Sequence, residues 1–127
     1  MRTTKQMSSK DKTLLSRASE LASHSSEKYR HGAIITRGGK TLAIGINRAI
    51  NNPNHVTDPK TGASIHAEIA ALNACRKSNL EGATIYVARI LKDGSPAMSK
   101  PCLRCQKALR KAGIKKVFYT IDSELEL

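Results

Sequence analysis

Two short stretches carry residue types able to hold a metal ion: His66-Ala67-Glu68 and Pro101-Cys102-Leu103-Arg104-Cys105. On a helix, residues three apart stand about 60° apart around the axis, so Cys102 and Cys105 can reach one ion. Thiols at a helix start also meet unpaired backbone N–H groups and the positive helix end, which favour the ligating thiolate. With His66 they make a Cys₂His set of three protein ligands. A tetrahedral Zn²⁺ held this way keeps its fourth position for water, as catalytic sites do. Zinc can bring that water's pKa down toward about 7, and Glu68 is the nearby carboxylate that could move protons. Glu68 stands about 200° round an ideal helix from His66, so spacing alone does not fix its reach.

Other readings compete for the same residues. A C-x-x-C at a helix start also fits a thioredoxin-like dithiol, which leaves His66 and Glu68 unexplained. A purely structural zinc needs a fourth protein ligand, for which His55, His31, His24 and Cys75 are the candidates. Cys75 falls about 180° round the helix from His66 and reads as a buried free thiol. Three cysteines, two of them in a C-x-x-C, suit a reducing, cytoplasmic setting better than a disulfide framework.

The elements that must position these residues follow from periodicity. Leu14, Leu15, Ala18, Leu21 and Ala22 recur at helical spacing and predict a helix over about Ser9 to Ser23, with Ser8 as its cap and Asp11 in its first turn. Ala33–Thr36 and Thr41–Ile46 flank Arg37-Gly38-Gly39-Lys40 and predict an antiparallel hairpin. Arg48 to Ser64, with Asn51, Pro53, Asp58, Pro59 and Gly62, reads as a long loop. A second helix is expected over about Ser64 to Lys77, with Ile65, Ile69, Ala70 and Leu72 on its apolar side. Thr84–Ile90 reads as a strand, and Lys92 to Lys100 as a loop. A third helix is expected between Pro101 and Gly113, and Val117–Thr120 as the last strand. Strands separated by helices after an initial hairpin give an α/β layered fold with its last strands parallel.

The chain has 127 residues, and 22 Lys plus Arg against 10 Asp plus Glu give a net charge of +12. This length suits one domain over 1–127, with a core of about 9–120 and tails at 1–8 and 121–127. The most continuous apolar stretch, Leu42–Ile46, is far short of the roughly 18 residues of a membrane span, and no membrane partner is expected. The basic start, Met1 to Lys5, lacks the apolar run of a secretory signal.

The pairing of H-x-E with P-C-x-x-C resembles the signature of the zinc-dependent nucleobase deaminases, the cytidine deaminase-like superfamily. The likeness runs from about Ala33 to Tyr119. Ile44-Gly45-Ile46-Asn47, His66 to Leu72, Ala83 to Val87 and Ala112 to Val117 are similar to the deoxycytidylate and tRNA adenosine deaminase branch. This resemblance implies a three-layer α/β/α fold with a mixed sheet. It implies zinc on His66, Cys102 and Cys105, and Glu68 as proton shuttle. It also implies that Asn47 orients the substrate and that the Ala67 backbone N–H bonds the base. The expected reaction is hydrolytic removal of a base amino group. Relatives usually continue with more chain after the position of Tyr119, so the fold is expected to be C-terminally short. Either an open pocket or a neighbouring subunit of a homo-oligomer would then meet the substrate.

His55 reads as a solvated loop histidine or a substrate contact, and Asn47 also fits an asparagine bonding backbone at a strand end. The charge attracts phosphates, with Arg104, Lys107, Arg110, Lys111, Lys115 and Lys116 clustered on and after the third helix. That leaves a nucleic acid partner open. The four aromatics, Tyr29, Tyr86, Phe118 and Tyr119, are few for stacking unpaired bases. Cytosine in a free nucleotide or nucleoside is therefore the favoured substrate. Bases within RNA or single-stranded DNA, and a non-catalytic zinc-stabilised nucleic-acid-binding module, are the alternatives.

Overall fold

The computed structural model describes residues 7–49, 64–75 and 79–127. Its elements run α1 (Ser9–Ala22), β1 (Arg30–Arg37), β2 (Lys40–Ile46), β3 (Arg48–Ala49), β4 (Ser64–Ile65), α2 (Ala67–Cys75), β5 (Thr84–Ile90), β6 (Pro96–Ala97), α3 (Leu103–Ala112), β7 (Lys116–Tyr119) and β8 (Ser123–Glu126). The main sheet is ordered β2-β1-β5-β7-β8, with β6 added to the far end of β5. Only β5 and β7 pair in parallel, joined by the α3 crossover, so the sheet is mixed as expected.

Alternation along the strands divides the core in two. Ile34, Tyr86, Ala88 and Phe118 face α1 with its Leu14, Leu15 and Ala18. Ala33, Ile35, Ile85, Val87 and Val117 face the other way, toward Ala67 and Ala71 of α2 and Leu109 of α3. The result is the α/β/α layering that the resemblance implied.

Several expected boundaries shift. The second helix begins at Ala67 rather than Ser64, because Ser64–Ile65 pair antiparallel with Arg48–Ala49. Its buried side is Ala67, Glu68, Ala71 and Cys75, whereas Ile69, Ala70 and Leu72 are half-buried. Small residues face the sheet because Gly45 lets α2 approach closely: a Cβ there would lie 2.5 Å from both the Ala67 carbonyl oxygen and the Ala71 nitrogen. Residues 121–127 are not a tail. They turn through Asp122, at φ 46°, into β8, which pairs antiparallel with β7 and packs Leu125 and Leu127 against the core. The N-terminal tail is also shorter than expected, since Met7 is buried and Ser8 caps α1, its Oγ accepting the Asp11 N–H at 3.1 Å. The end of the second helix at Lys77 and most of the 48–64 loop lie outside the described residues. No helix among the described residues is long and apolar enough to cross a membrane.

Candidate active site

His66, immediately before α2, meets the first turn of α3. Its Nδ1 lies 3.3 Å from Cys105 Sγ and 4.0 Å from Cys102 Sγ, and the three ligand atoms all lie within 4.8 Å of one another. Zinc bonds of about 2.3 Å to sulfur and about 2.0 Å to nitrogen set tetrahedral N···S edges near 3.5 Å, which the two observed separations straddle. Cys102 is the N-cap of α3 in extended backbone conformation (φ −66°, ψ 163°), and its sulfur accepts the Cys105 N–H at 3.5 Å. The cap that starts the helix therefore also aims the thiol.

Glu68 sits in the first turn of α2 and is only 5% exposed. Burial raises its carboxyl above the ordinary glutamate range, against the opposing pull of its own backbone N–H, His66 and Cys105. Burial pushes the Cys105 thiol up as well, and the charges of Glu68 and Cys102 beside it add to the effect. Two thiols and a carboxylate thus crowd one another with only an imidazole between them. Such a donor set is balanced by a divalent cation, which would turn each of these repulsions into an attraction. The residues fit zinc on donor chemistry and on spacing.

No fourth protein ligand joins the three among the described residues. His24 is exposed, Cys75 is buried elsewhere in the core, and His31 stands apart from the trio. His55 lies outside the described residues. A cleft of about 820 Å³ opens beside the trio, and its lining includes His66, Ala67, Glu68 and Cys102. This is large enough to take a substrate of small-molecule size.

The cleft wall is the end of the sheet. On β2, β1 and β5 the inward-facing row after Gly45, Ala33 and Val87 consists of Asn47, His31 and Arg89. Asn47 has both ends of its amide on backbone: Nδ2 donates to the Tyr29 carbonyl, and Oδ1 accepts the His31 N–H at 2.8 Å. It lines the cleft while pinning the start of β1. Burial lowers the His31 pKa, opposed by the Tyr29 backbone and reinforced by Arg89 and His66, so the ring stays neutral at physiological pH. Behind the metal residues, Ser99 Oγ donates to the Val87 carbonyl and accepts the Thr120 N–H, both at 2.8 Å, which fixes the approach to Pro101 and Cys102.

His31, Arg89, Tyr29 and Ser99 were not singled out as cleft residues from sequence. Strand alternation carried the signal for two of them, since His31 and Arg89 continue the inward series Ile35-Ala33 and Ile85-Val87.

Residues 8–121 match the model of the cytidine and deoxycytidylate deaminase zinc-binding region. The chain belongs to this family. ComE operon protein 2 of Bacillus subtilis (strain 168) is 33% identical over 100 residues, covering 72% of this chain and 48% of that protein. The deoxycytidylate deaminase of Mycobacterium phage D29 is 35% identical over 72 residues, 54% of this chain and 48% of its own. The chain thus spans about half the length of the curated relatives it matches. Among solved structures, the apo dCMP deaminase of cyanophage S-TIM5 superposes with a TM-score of 0.66 at 25% identity, covering 88% of this chain and 85% of that one. The same phage enzyme has been solved with dCMP and dUMP, and that form gives a TM-score of 0.60 at 25% identity over 85% and 78% of the two chains. This family member therefore shares its fold with a nucleotide deaminase over most of its length.

Proposed function

We propose that this protein is a zinc-dependent hydrolytic deaminase of cytosine in a nucleotide or nucleoside, converting the base to uracil and releasing ammonia. The observation that carries the reading is a buried carboxyl, Glu68, beside a His-Cys-Cys trio, with Glu68, His66 and Cys102 lining one open cleft. His66, Cys102 and Cys105 would hold the ion. When bound, zinc supplies Lewis-acid chemistry that makes water nucleophilic near neutral pH.

The remaining work falls to the chain's own groups. Glu68 takes a proton from the attacking water and delivers it to N3 of the ring as the C4–O bond forms; it then takes the proton of the new C4 hydroxyl and passes it to the amino nitrogen, so that the C4–N bond breaks, the C4 carbonyl of uracil forms and ammonia leaves. Burial raises its pKa, the direction that favours holding a proton between the two transfers. The Ala67 backbone N–H, at the start of α2, orients the base, and Asn47 and neutral His31 shape the wall against which it lies. A phage relative solved with dCMP and dUMP supports a cytosine nucleotide as the ligand class.

The test is ammonia release, with product identification, from cytidine and deoxycytidine nucleosides and monophosphates and from short RNA and single-stranded DNA. Wild type is expected to act on a cytosine nucleotide or nucleoside, and Glu68→Gln to lower the rate by about 10²- to 10⁴-fold while retaining zinc. Silence across the small molecules overturns the substrate assignment. The exposed cations along α3, Arg104, Lys107, Arg110 and Lys111, favour a second reading in which the same chemistry acts on a base within a strand. Activity confined to the oligonucleotides, with binding that weakens steeply as salt rises, is the outcome that reading requires.

A further inference from the structure

Arg89 occupies a position where the strand pattern calls for an apolar residue. On β5, Ile85 and Val87 point into the α2 and α3 side of the core, and Arg89 is the next inward position, paired across the sheet with His31. Its Nε is buried and has no hydrogen-bond partner among the described residues. Its guanidinium carbon lies 5.0 Å from the centroid of the Tyr29 ring, and Lys28 Nζ lies 5.6 Å from the same centroid. Arg89, Lys28 and Tyr29 all line the cleft that holds Glu68 and His66.

Two cations thus stand against one aromatic ring. Among the described residues no carboxylate forms an ion pair with either of them, although Glu27 also lines the cleft. The Tyr29 ring attracts both cations, but an aromatic face supplies no acceptor for the buried N–H. A buried donor left unsatisfied on a charged group is costly, and the forked, permanently charged guanidinium is the side chain best matched to phosphate oxygens. The three features together, an unpaired buried donor, a second cation and a location inside the substrate cleft, describe an anion subsite.

We infer that Arg89, assisted by Lys28, binds the 5′-phosphate of a mononucleotide and makes the site select nucleotides over nucleosides. The inference rests on the deaminase reading for the identity of the base, yet it concerns a different group of the substrate. A phosphoryl oxygen could also come from the backbone of a strand, and binding separates these sources without needing turnover.

The experiment measures equilibrium binding of dUMP, deoxyuridine and a short single-stranded DNA with one internal deoxyuridine to the zinc-loaded protein. Wild type is expected to bind dUMP about tenfold or more tighter than deoxyuridine, and Arg89→Met to remove most of that ratio. Arg89→Lys should restore part of it, since the charge returns without the fork. Lys28→Ala, an exposed position whose change leaves the fold intact, should lower the ratio by a smaller factor. Zinc content and thermal midpoint of each variant report folding separately. Equal affinity for dUMP and deoxyuridine, a preference that survives Arg89→Met, or an Arg89 dependence seen only with the DNA each overturns the inference. Failure of the deaminase reading shows instead as absent ammonia release, whatever the binding ratio.

Discussion

The two faces of the central sheet are built from the same strands and differ in how they treat polar groups. Toward α1, β5 presents Tyr86, whose hydroxyl donates to Asp11 Oδ1 at 2.6 Å and whose ring stacks on Phe118 with centroids 5.1 Å apart. Its polar group has a partner, and on the same face Lys116 Nζ lies 3.8 Å from Glu124, which stands opposite Phe118. Toward α2 and α3, the same strand ends in Arg89 with a buried unpartnered Nε, next to a cleft where Glu68 and Cys105 are pushed above their usual pKa values. On one face the polar side chains pair with one another; the other gathers a His-Cys-Cys trio and a buried guanidinium N–H without a hydrogen-bond partner. Unmet electrostatic demand concentrated at one place is what marks a functional site.

The largest expected effect breaks this contrast at the metal. Cys105→Ser should abolish zinc retention and bring deaminase activity below detection, because a buried hydroxyl replaces a thiolate ligand. Metal analysis alongside ammonia release checks it. Retained zinc with unchanged activity would mean that this face is not a metal site.

A matched pair of substitutions sharpens the comparison at intermediate size. A Cβ at Gly45 would meet α2 backbone, 2.5 Å from the Ala67 oxygen, whereas one at Gly32 would meet α1 backbone, 2.3 Å from the Ala18 oxygen. Gly45→Ala and Gly32→Ala should each cost about 1–3 kcal/mol of stability through overpacking. Only Gly45→Ala should also weaken zinc binding and activity, since it displaces the helix that carries Glu68 and follows His66. Denaturation midpoints and zinc affinity, measured together, decide this. Equal functional loss in both variants would show that the faces are not independent.

The smallest effect tests the α1 face alone. Tyr86→Phe removes the hydroxyl bound to Asp11 and should lower stability by about 1–2 kcal/mol, read by chemical denaturation, with kcat unchanged.

Much of the fold is legible in the residues. The Gly38-Gly39 turn, the helical spacing from Leu14 to Ala22, and Gly113 just past the end of α3 all obey local rules that a tertiary environment does not override, whereas α3 begins at Leu103, two residues after the Pro101 expected to start it. The metal trio was legible for a similar reason, since thiols and imidazole at helix starts leave few chemical alternatives. What escaped depends on distant partners. Ser123–Glu126 is a short strand because β7 offers an open edge, and its Leu125 and Leu127 alternate with Glu124 and Glu126 too briefly to announce it alone. The start of α2 moved to Ala67 because Arg48–Ala49 claimed Ser64–Ile65, a pairing between segments apart in sequence that no local pattern gives. Arg89 falls inside the expected strand Thr84–Ile90 with nothing local to single it out; its place appears only once Tyr29, Lys28 and the cleft are set around it.

The most direct test of the account is zinc K-edge X-ray absorption on the purified protein. The account predicts one zinc per chain with two sulfur neighbours at about 2.3 Å and two lighter ones, nitrogen and oxygen, at about 2.0 Å, and loss of sulfur scatterers in Cys105→Ser. A shell of three or four sulfurs, or a purified protein that takes up no zinc, would contradict it.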